Sequence, residues 1–208
     1  MITITRPGRE MFRRLYFWSM RPLALAGLLL LAACSAAPTF NGVVLDPPEV
    51  APPLRLADSA GMRFDLGAEK GKVALVFFGY THCPDVCPTT LVDWRHVADS
   101  LGSKAADVRF VFVSVDPDRD TPAVAQRYAA RFSPAFIGLT GTSAQIDAIK
   151  TAWKIASYRD GVPSDTTTTY TVTHPSQVFV IDRDGKLRLM LRQGLTPAQI
   201  AADIKALL

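Results

Sequence analysis

A basic surplus is missing once the first segment is set aside. The chain carries 23 Lys and Arg against 19 Asp and Glu, but residues 1–33 alone hold five arginines (Arg6, Arg9, Arg13, Arg14 and Arg21) and one glutamate, Glu10. The remainder is balanced, and its basic residues are dispersed rather than clustered beside aromatics. That excludes the electrostatic footprint of a nucleic-acid-binding protein. A long apolar run is also missing, because residues 23–33 are too few to make a membrane-spanning helix. There is no internal repeat, and no low-complexity block beyond a short Ala/Pro-rich stretch. Cysteine and histidine are scarce, with three of each in 208 residues.

What is present describes one globular domain behind a leader. Apolar residues make up 49% and charged residues 20%, values that argue against wholesale disorder. Arg13 and Arg14 precede the apolar run, which ends in Leu31-Ala32-Ala33-Cys34-Ser35. A positive region, a compact apolar stretch and a small-residue ending mark a signal peptide. This ending resembles a bacterial lipobox. It predicts cleavage before Cys34, acylation of the Cys34 thiol, and a protein lipid-anchored to the membrane on the extracytoplasmic side of a bacterial envelope. Met11 is an alternative start that would place Arg13 and Arg14 directly after the initiator. The expected division is a lipoprotein signal peptide at 1–33, a lipidated tether and irregular lead-in at 34–53, and a folded domain at 54–208.

Within that domain, residues 54–56 and 62–64 flank Ser59-Ala60-Gly61 and predict a short hairpin. Residues 73–78 are an unbroken apolar run, predicting a buried central strand, and 108–115 predict a second. From Cys87 to Leu101, Leu91, Trp94, Val97, Ala98 and Leu101 recur at helical spacing. Thr121-Pro122 opens a helix to about Phe132, residues 136–139 a short strand, and Thr142 or Ser143 caps another helix. Residues 160–173 are polar and threonine-rich and read as a long loop. Residues 177–181 and 187–191 are strands joined by Asp182-Arg183-Asp184-Gly185, and Thr196-Pro197 starts the last helix. Strands alternating with helices and a two-strand finish predict a layered α/β domain, with helices on both faces of a mixed sheet and an added hairpin.

The chemistry centres on Cys83 and Cys87, four residues apart, after a buried strand and at the opening of a helix. With Cys34 acylated they are the only free thiols, and a lone reactive pair in an oxidising compartment implies a redox switch or a metal site. On one regular helical turn their Cβ atoms would stand roughly 5–6 Å apart, too far for a disulfide without local unwinding. The spacing therefore leans toward a metal clamp. Soft thiolates suit Cu(I), zinc or iron–sulfur centres. The last two commonly need four protein ligands, so two thiolates and one imidazole suit copper better. His82 adjoins Cys83, but a neighbouring side chain usually points away. His96 sits farther along the helix as a surface residue. His174 ends the polar loop just before a strand, where it could fold over the helix start, or else act as an ordinary surface group or a proton-transfer base. Trp94 and Trp153 read as helix packing.

The segment Phe78-Gly79-Tyr80-Thr81-His82-Cys83-Pro84-Asp85-Val86-Cys87-Pro88-Thr89 resembles the signature of the Sco/SenC copper proteins. So do Val113-Ser114-Val115-Asp116-Pro117, continuing through Arg119-Asp120-Thr121-Pro122, and Tyr170-Thr171-Val172-Thr173-His174. The resemblance implies a thioredoxin-like fold and copper ligation by Cys83, Cys87 and His174, with one ion as Cu(I) and Cu(II) left open. It implies a copper chaperone for the binuclear centre of cytochrome c oxidase, or a thiol–disulfide oxidoreductase that reduces that centre's cysteines. In the second case Cys83 attacks and Cys87 resolves. Partners would be the oxidase's copper-bearing subunit, other periplasmic copper chaperones or thiol reductases, and the membrane through the lipid. The resemblance also places Asp116 near the site, either orienting a ligand or docking a partner, against a plain turn-acceptor role. Pro175 departs from the small polar residue that many relatives carry. Met62 and Met190 form no methionine-rich copper track.

Overall fold

The computed structural model describes residues 39–160 and 170–208. The expected signal peptide, the acylated Cys34 and the middle of the 160–173 loop lie outside the described residues. Residues 39–208 form one compact unit. Its strands are β1 (Val43–Val50), β2 (Arg55–Ala57), β3 (Arg63–Asp65), β4 (Val73–Gly79), β5 (Val108–Ser114), β6 (Ile137–Leu139), β7 (Tyr158–Asp160), β8 (Thr171–Thr173), β9 (Val178–Ile181) and β10 (Lys186–Leu191). Its helices are α1 (Val86–Leu101), α2 (Pro122–Ala130), α3 (Ser143–Ala152) and α4 (Pro197–Leu207).

The main sheet has the order β1-β10-β9-β4-β5-β6, with β4, β5 and β6 parallel and β9, β10 and β1 antiparallel to their neighbours. Strand β4 explains the architecture. All seven of its residues are buried, and successive side chains point to opposite faces. Val73, Leu75 and Phe77 pack with Leu91, Trp94 and Val97 of α1, Tyr128 and Ala129 of α2, and Ile200 and Ile204 of α4. Ala74, Val76 and Phe78 pack on the other side with Ile146 and Ile149 of α3, Trp153, and Leu54 and Leu56 from the hairpin region. A strand buried on both faces must be continuously apolar, and that makes this run legible. The result is a three-layer α/β sandwich around a mixed sheet, with β2 and β3 as a separate hairpin. Trp94 and Trp153 are both core residues, as their neighbours implied.

Helix starts follow the sequence signals closely. Thr121, Thr142 and Thr196 are N-caps whose hydroxyls accept from the amides of Val124, Gln145 and Gln199. Such a cap satisfies one of the helix's orphan N–H groups.

Three expectations are corrected. The lead-in is not irregular throughout, because residues 43–50 form β1 and pair with β10. Pro47 and Pro48 fall where the register shifts between Val44 and Glu49, the arrangement by which an edge strand tolerates residues lacking an amide donor. The ends of the polar loop are not loop either, since β7 and β8 pair as a short antiparallel ribbon. The β-branched threonines of β8 suit a pleated strand as well as a turn. Finally, the helix after Thr121 ends at Ala130, short of Phe132.

Candidate metal centre

The carboxyl end of β4 delivers the chain to a tight loop, Tyr80 to Asp85, and then into α1. Cys83 lies in that loop, so the two cysteines do not share a regular helical turn; only Cys87 is helical. Cys87 is fully buried and Cys83 half-buried, and both are free thiols. The amide of Cys87 donates to Cys83 Sγ at 3.5 Å. The sulfur therefore faces the positive end of α1, where free N–H groups favour a thiolate.

His174 follows β8 and reaches back over this loop. Its Nε2 stands 3.5 Å from Cys87 Sγ, and its Nδ1 lies 3.0 Å from the carbonyl oxygen of Pro175. A carbonyl only accepts, so Nδ1 carries the hydrogen and Nε2 presents its lone pair to the sulfurs. Phe77 and Tyr80 pack edge-on against the imidazole, with ring centroids 5.8 and 5.6 Å away. The donor atoms of Cys83, Cys87 and His174 all lie within 4.8 Å of one another, close enough to hold one metal ion. Two sulfurs and one imidazole nitrogen form a soft, low-coordinate donor set that fits copper.

The thiols differ sharply. Hydrogen bonding from Cys87 is the largest influence holding the Cys83 thiol down, to about 3, with His174 and the amides of Asp85 and Cys87 adding to it against partial burial. Burial pushes Cys87 up, and the adjoining Cys83 sulfur pushes it further. The first negative charge of the pair therefore resides on Cys83, and the second sulfur stays protonated until something cationic replaces its proton.

Asp116 is buried, and it touches neither cysteine nor His174 in the contacts of the described residues. Its two oxygens accept from Arg119 Nε at 2.5 Å and from the Tyr170 hydroxyl at 2.6 Å. Arg119 Nη1 donates to the Tyr170 carbonyl at 2.9 Å, and its guanidinium stacks on the Tyr170 ring, 3.6 Å from the centroid. Tyr170 leads into β8, so this set of contacts pins the strand that carries His174. Any link from Asp116 to His174 runs through Tyr170 rather than through a direct contact. Its turn role is real as well, since its carbonyl accepts from the amides of Arg119 and Asp120.

Two further residues shape the site without having been singled out in the sequence. Asp120 is buried and accepts from the Thr81 amide at 2.9 Å, the Thr81 hydroxyl at 2.6 Å and the Ser114 hydroxyl at 2.5 Å, fixing the loop before Cys83. Gly79 is where Cys87 Sγ sits: a β-carbon there would stand 2.5 Å from that sulfur. Asp120 lies inside a quoted motif, yet nothing in its spacing to Thr81 announces the contact. The glycine reads as a strand terminus. Of the remaining candidates, His96 is exposed on α1, and His82 is 55% exposed and outside the three-donor cluster. Met62 is exposed, and Met190 packs against the α3 side of the core.

Comparison with known proteins identifies the family. The SCO2-like protein of Rickettsia felis is 35% identical over 150 residues, covering 72% of this chain and 73% of that protein. The copper-bound structure of ScoI from Bradyrhizobium japonicum matches with a TM-score of 0.69 and 38% identity, over 76% of this chain and 99% of that one. The solution structure of apo Sco1 from Thermus thermophilus matches with a TM-score of 0.74 and 35% identity, over 82% and 98%. The family model described as SCO1/SenC matches residues 44–208, from the edge strand to the last helix, and this chain belongs to that family.

Proposed function

We propose that this protein is an extracytoplasmic copper chaperone, held to the bacterial membrane through an acylated Cys34. It would carry one copper ion on Cys83, Cys87 and His174 and deliver it to the binuclear centre of cytochrome c oxidase. The observation that carries the reading is the convergence of two sulfurs and an imidazole nitrogen within 4.8 Å at the open end of the sheet. Copper in a relative of 38% identity supports the choice of metal. The depressed Cys83 thiol supplies a thiolate without help, and Cu(I) displaces the proton of Cys87. The Pro175 carbonyl fixes the His174 tautomer, so the nitrogen that faces the sulfurs is the one able to ligate. Low coordination leaves room for a partner's thiolate to join the ion before the protein lets go.

The same asymmetry favours a second reading. A half-buried, more accessible thiolate beside a buried protonated thiol is the arrangement of a reductase. Cys83 attacks a partner disulfide, giving a mixed disulfide and releasing one partner thiolate. Cys87, losing its proton, then attacks Cys83 and releases the second. The partner gains two electrons and this protein ends with a Cys83–Cys87 disulfide.

Copper(I) titration under reducing conditions, with bicinchoninate as competitor, tests the first reading. The parent should bind one ion, and His174→Ala should bind about 100-fold more weakly, the scale expected for losing a ligand or its support. Unchanged binding in the variant removes His174 from the site. A protein that reduces an oxidised oxidase fragment but takes up no copper establishes the second reading instead.

A further inference from the structure

Beside the three-donor cluster stands another imidazole held in the manner of a metal ligand. The Thr81 hydroxyl gives its hydrogen to Asp120 Oδ1 at 2.6 Å, and the same oxygen lies 3.2 Å from His82 Nδ1. Thr81 is therefore the acceptor in the second contact, and Nδ1 carries the hydrogen. Asp120 Oδ1 itself lies 3.7 Å from His82 Nδ1, and the Asp120 side chain is fully buried. A polar group behind one ring nitrogen leaves the other free to ligate, which is how metal-binding histidines are held. The His82 side chain is nevertheless 55% exposed and stands outside the cluster. It is the chain neighbour of Cys83, the half-buried and more accessible of the two thiols. With Cys87 buried and Cys83 and His174 only partly so, a competing ligand reaches a bound ion from the side of those two residues.

We propose that His82 is a transit ligand, whose Nε2 holds copper for the interval in which the copper–Cys83 bond opens and the bond to an incoming thiolate forms. The proposal rests on the carrier reading above. Copper remains Cu(I) throughout. The acceptor's sulfur supplies the electron pair of the new bond, and Cys83 Sγ leaves with the pair of the old one. The emptied site takes one proton from solvent onto Cys87 and keeps its negative charge on Cys83, and His82 lends and withdraws its lone pair without net change.

The test uses the full chain loaded with one Cu(I), comparing the parent with His82→Ala, and with His96→Ala as an exposed-histidine control. Competition with bicinchoninate gives the affinity, and stopped-flow mixing with excess dithiothreitol gives the transfer rate. The expected result is an affinity within about twofold of the parent and a transfer rate reduced about tenfold in His82→Ala only. Transfer at the parental rate in His82→Ala overturns the proposal. So does an affinity loss as large as that of His174→Ala, since His82 would then be a resident ligand. A parent that binds no copper removes the carrier reading, and this inference with it.

Discussion

Replacing Gly79 by alanine places a methyl group where the sulfur of Cys87 now rests. The added carbon would stand 2.5 Å from Cys87 Sγ, 3.0 Å from Phe112 and 3.2 Å from Phe77. Ordinary carbon contacts sit near 3.5–4.0 Å, so the sulfur has to retreat by roughly 1 Å. It has little room to do so, because Cys87, Phe77 and Phe112 are all fully buried. Overpacking of this kind costs about 1–3 kcal/mol, and each kcal/mol lowers Tm by about 2–4 °C in a domain of this size. Tm should therefore fall by roughly 2–12 °C, leaving a folded protein at room temperature. The copper effect should be out of proportion to that loss, since a donor displaced by an ångström no longer meets the other two. An affinity reduced about 10–100-fold is expected, as when the support behind a metal ligand is removed. Thermal unfolding by circular dichroism and bicinchoninate competition on the folded variant measure the two effects separately. A lowered Tm with parental copper affinity would refute the claim that Gly79 sets the sulfur's place. No change in either would refute the close packing itself.

Two other outcomes follow from the site. Tyr170→Phe removes the hydroxyl that donates to buried Asp116 and slackens the hold on the strand carrying His174. Its copper affinity should fall about tenfold, with a stability loss of about 1–3 kcal/mol by denaturant titration; a stability loss alone would make Asp116 and Tyr170 purely structural. In the reduced, metal-free protein, alkylation of Cys83 by iodoacetamide should proceed nearly as fast at about pH 5 as at about pH 8, whereas in denaturant it should slow about tenfold per pH unit. The sign follows from a folded-state thiol held down to about 3: the reactive thiolate persists until the pH falls through that value. Mass spectrometry of the labelled peptides reads the result, and equal slowing in the folded protein would refute the asymmetry between the thiols.

Much of this was legible because single residues carried unambiguous signals. Strand β4 is apolar at every position, and three threonines mark three helix starts. The cysteines stood out because few residue types can do their chemistry, His174 was singled out by the family resemblance, and the fold brings the three donor atoms together. Strand β1 was hidden by Pro47 and Pro48, which speak against a strand unless an edge with a register shift is already known to exist. Strands β7 and β8 are three residues each and are stabilised by one another, a long-range fact that no local pattern records. The supports of the site were illegible for the same reason. Asp120 meets Thr81 across 39 positions, and Tyr170 meets Asp116 across 54. Only the fold brings either pair together.

The buried Asp203 on α4 grips the amides of Asn41 and Gly42, at 2.9 and 2.8 Å, one residue before β1 begins. Val43 lies opposite Met190, so the polypeptide joins the sheet near the end from which Cys83 and Cys87 project, three strand spacings or roughly 15 Å across from β4. Under the anchoring proposed above, a leash fastened upstream would pull close to the candidate metal centre. Asp203 works as a strain relief, like the clamp where a cable enters a plug. Tension on such an anchor would load a carboxylate and two amides before it reached the edge strand.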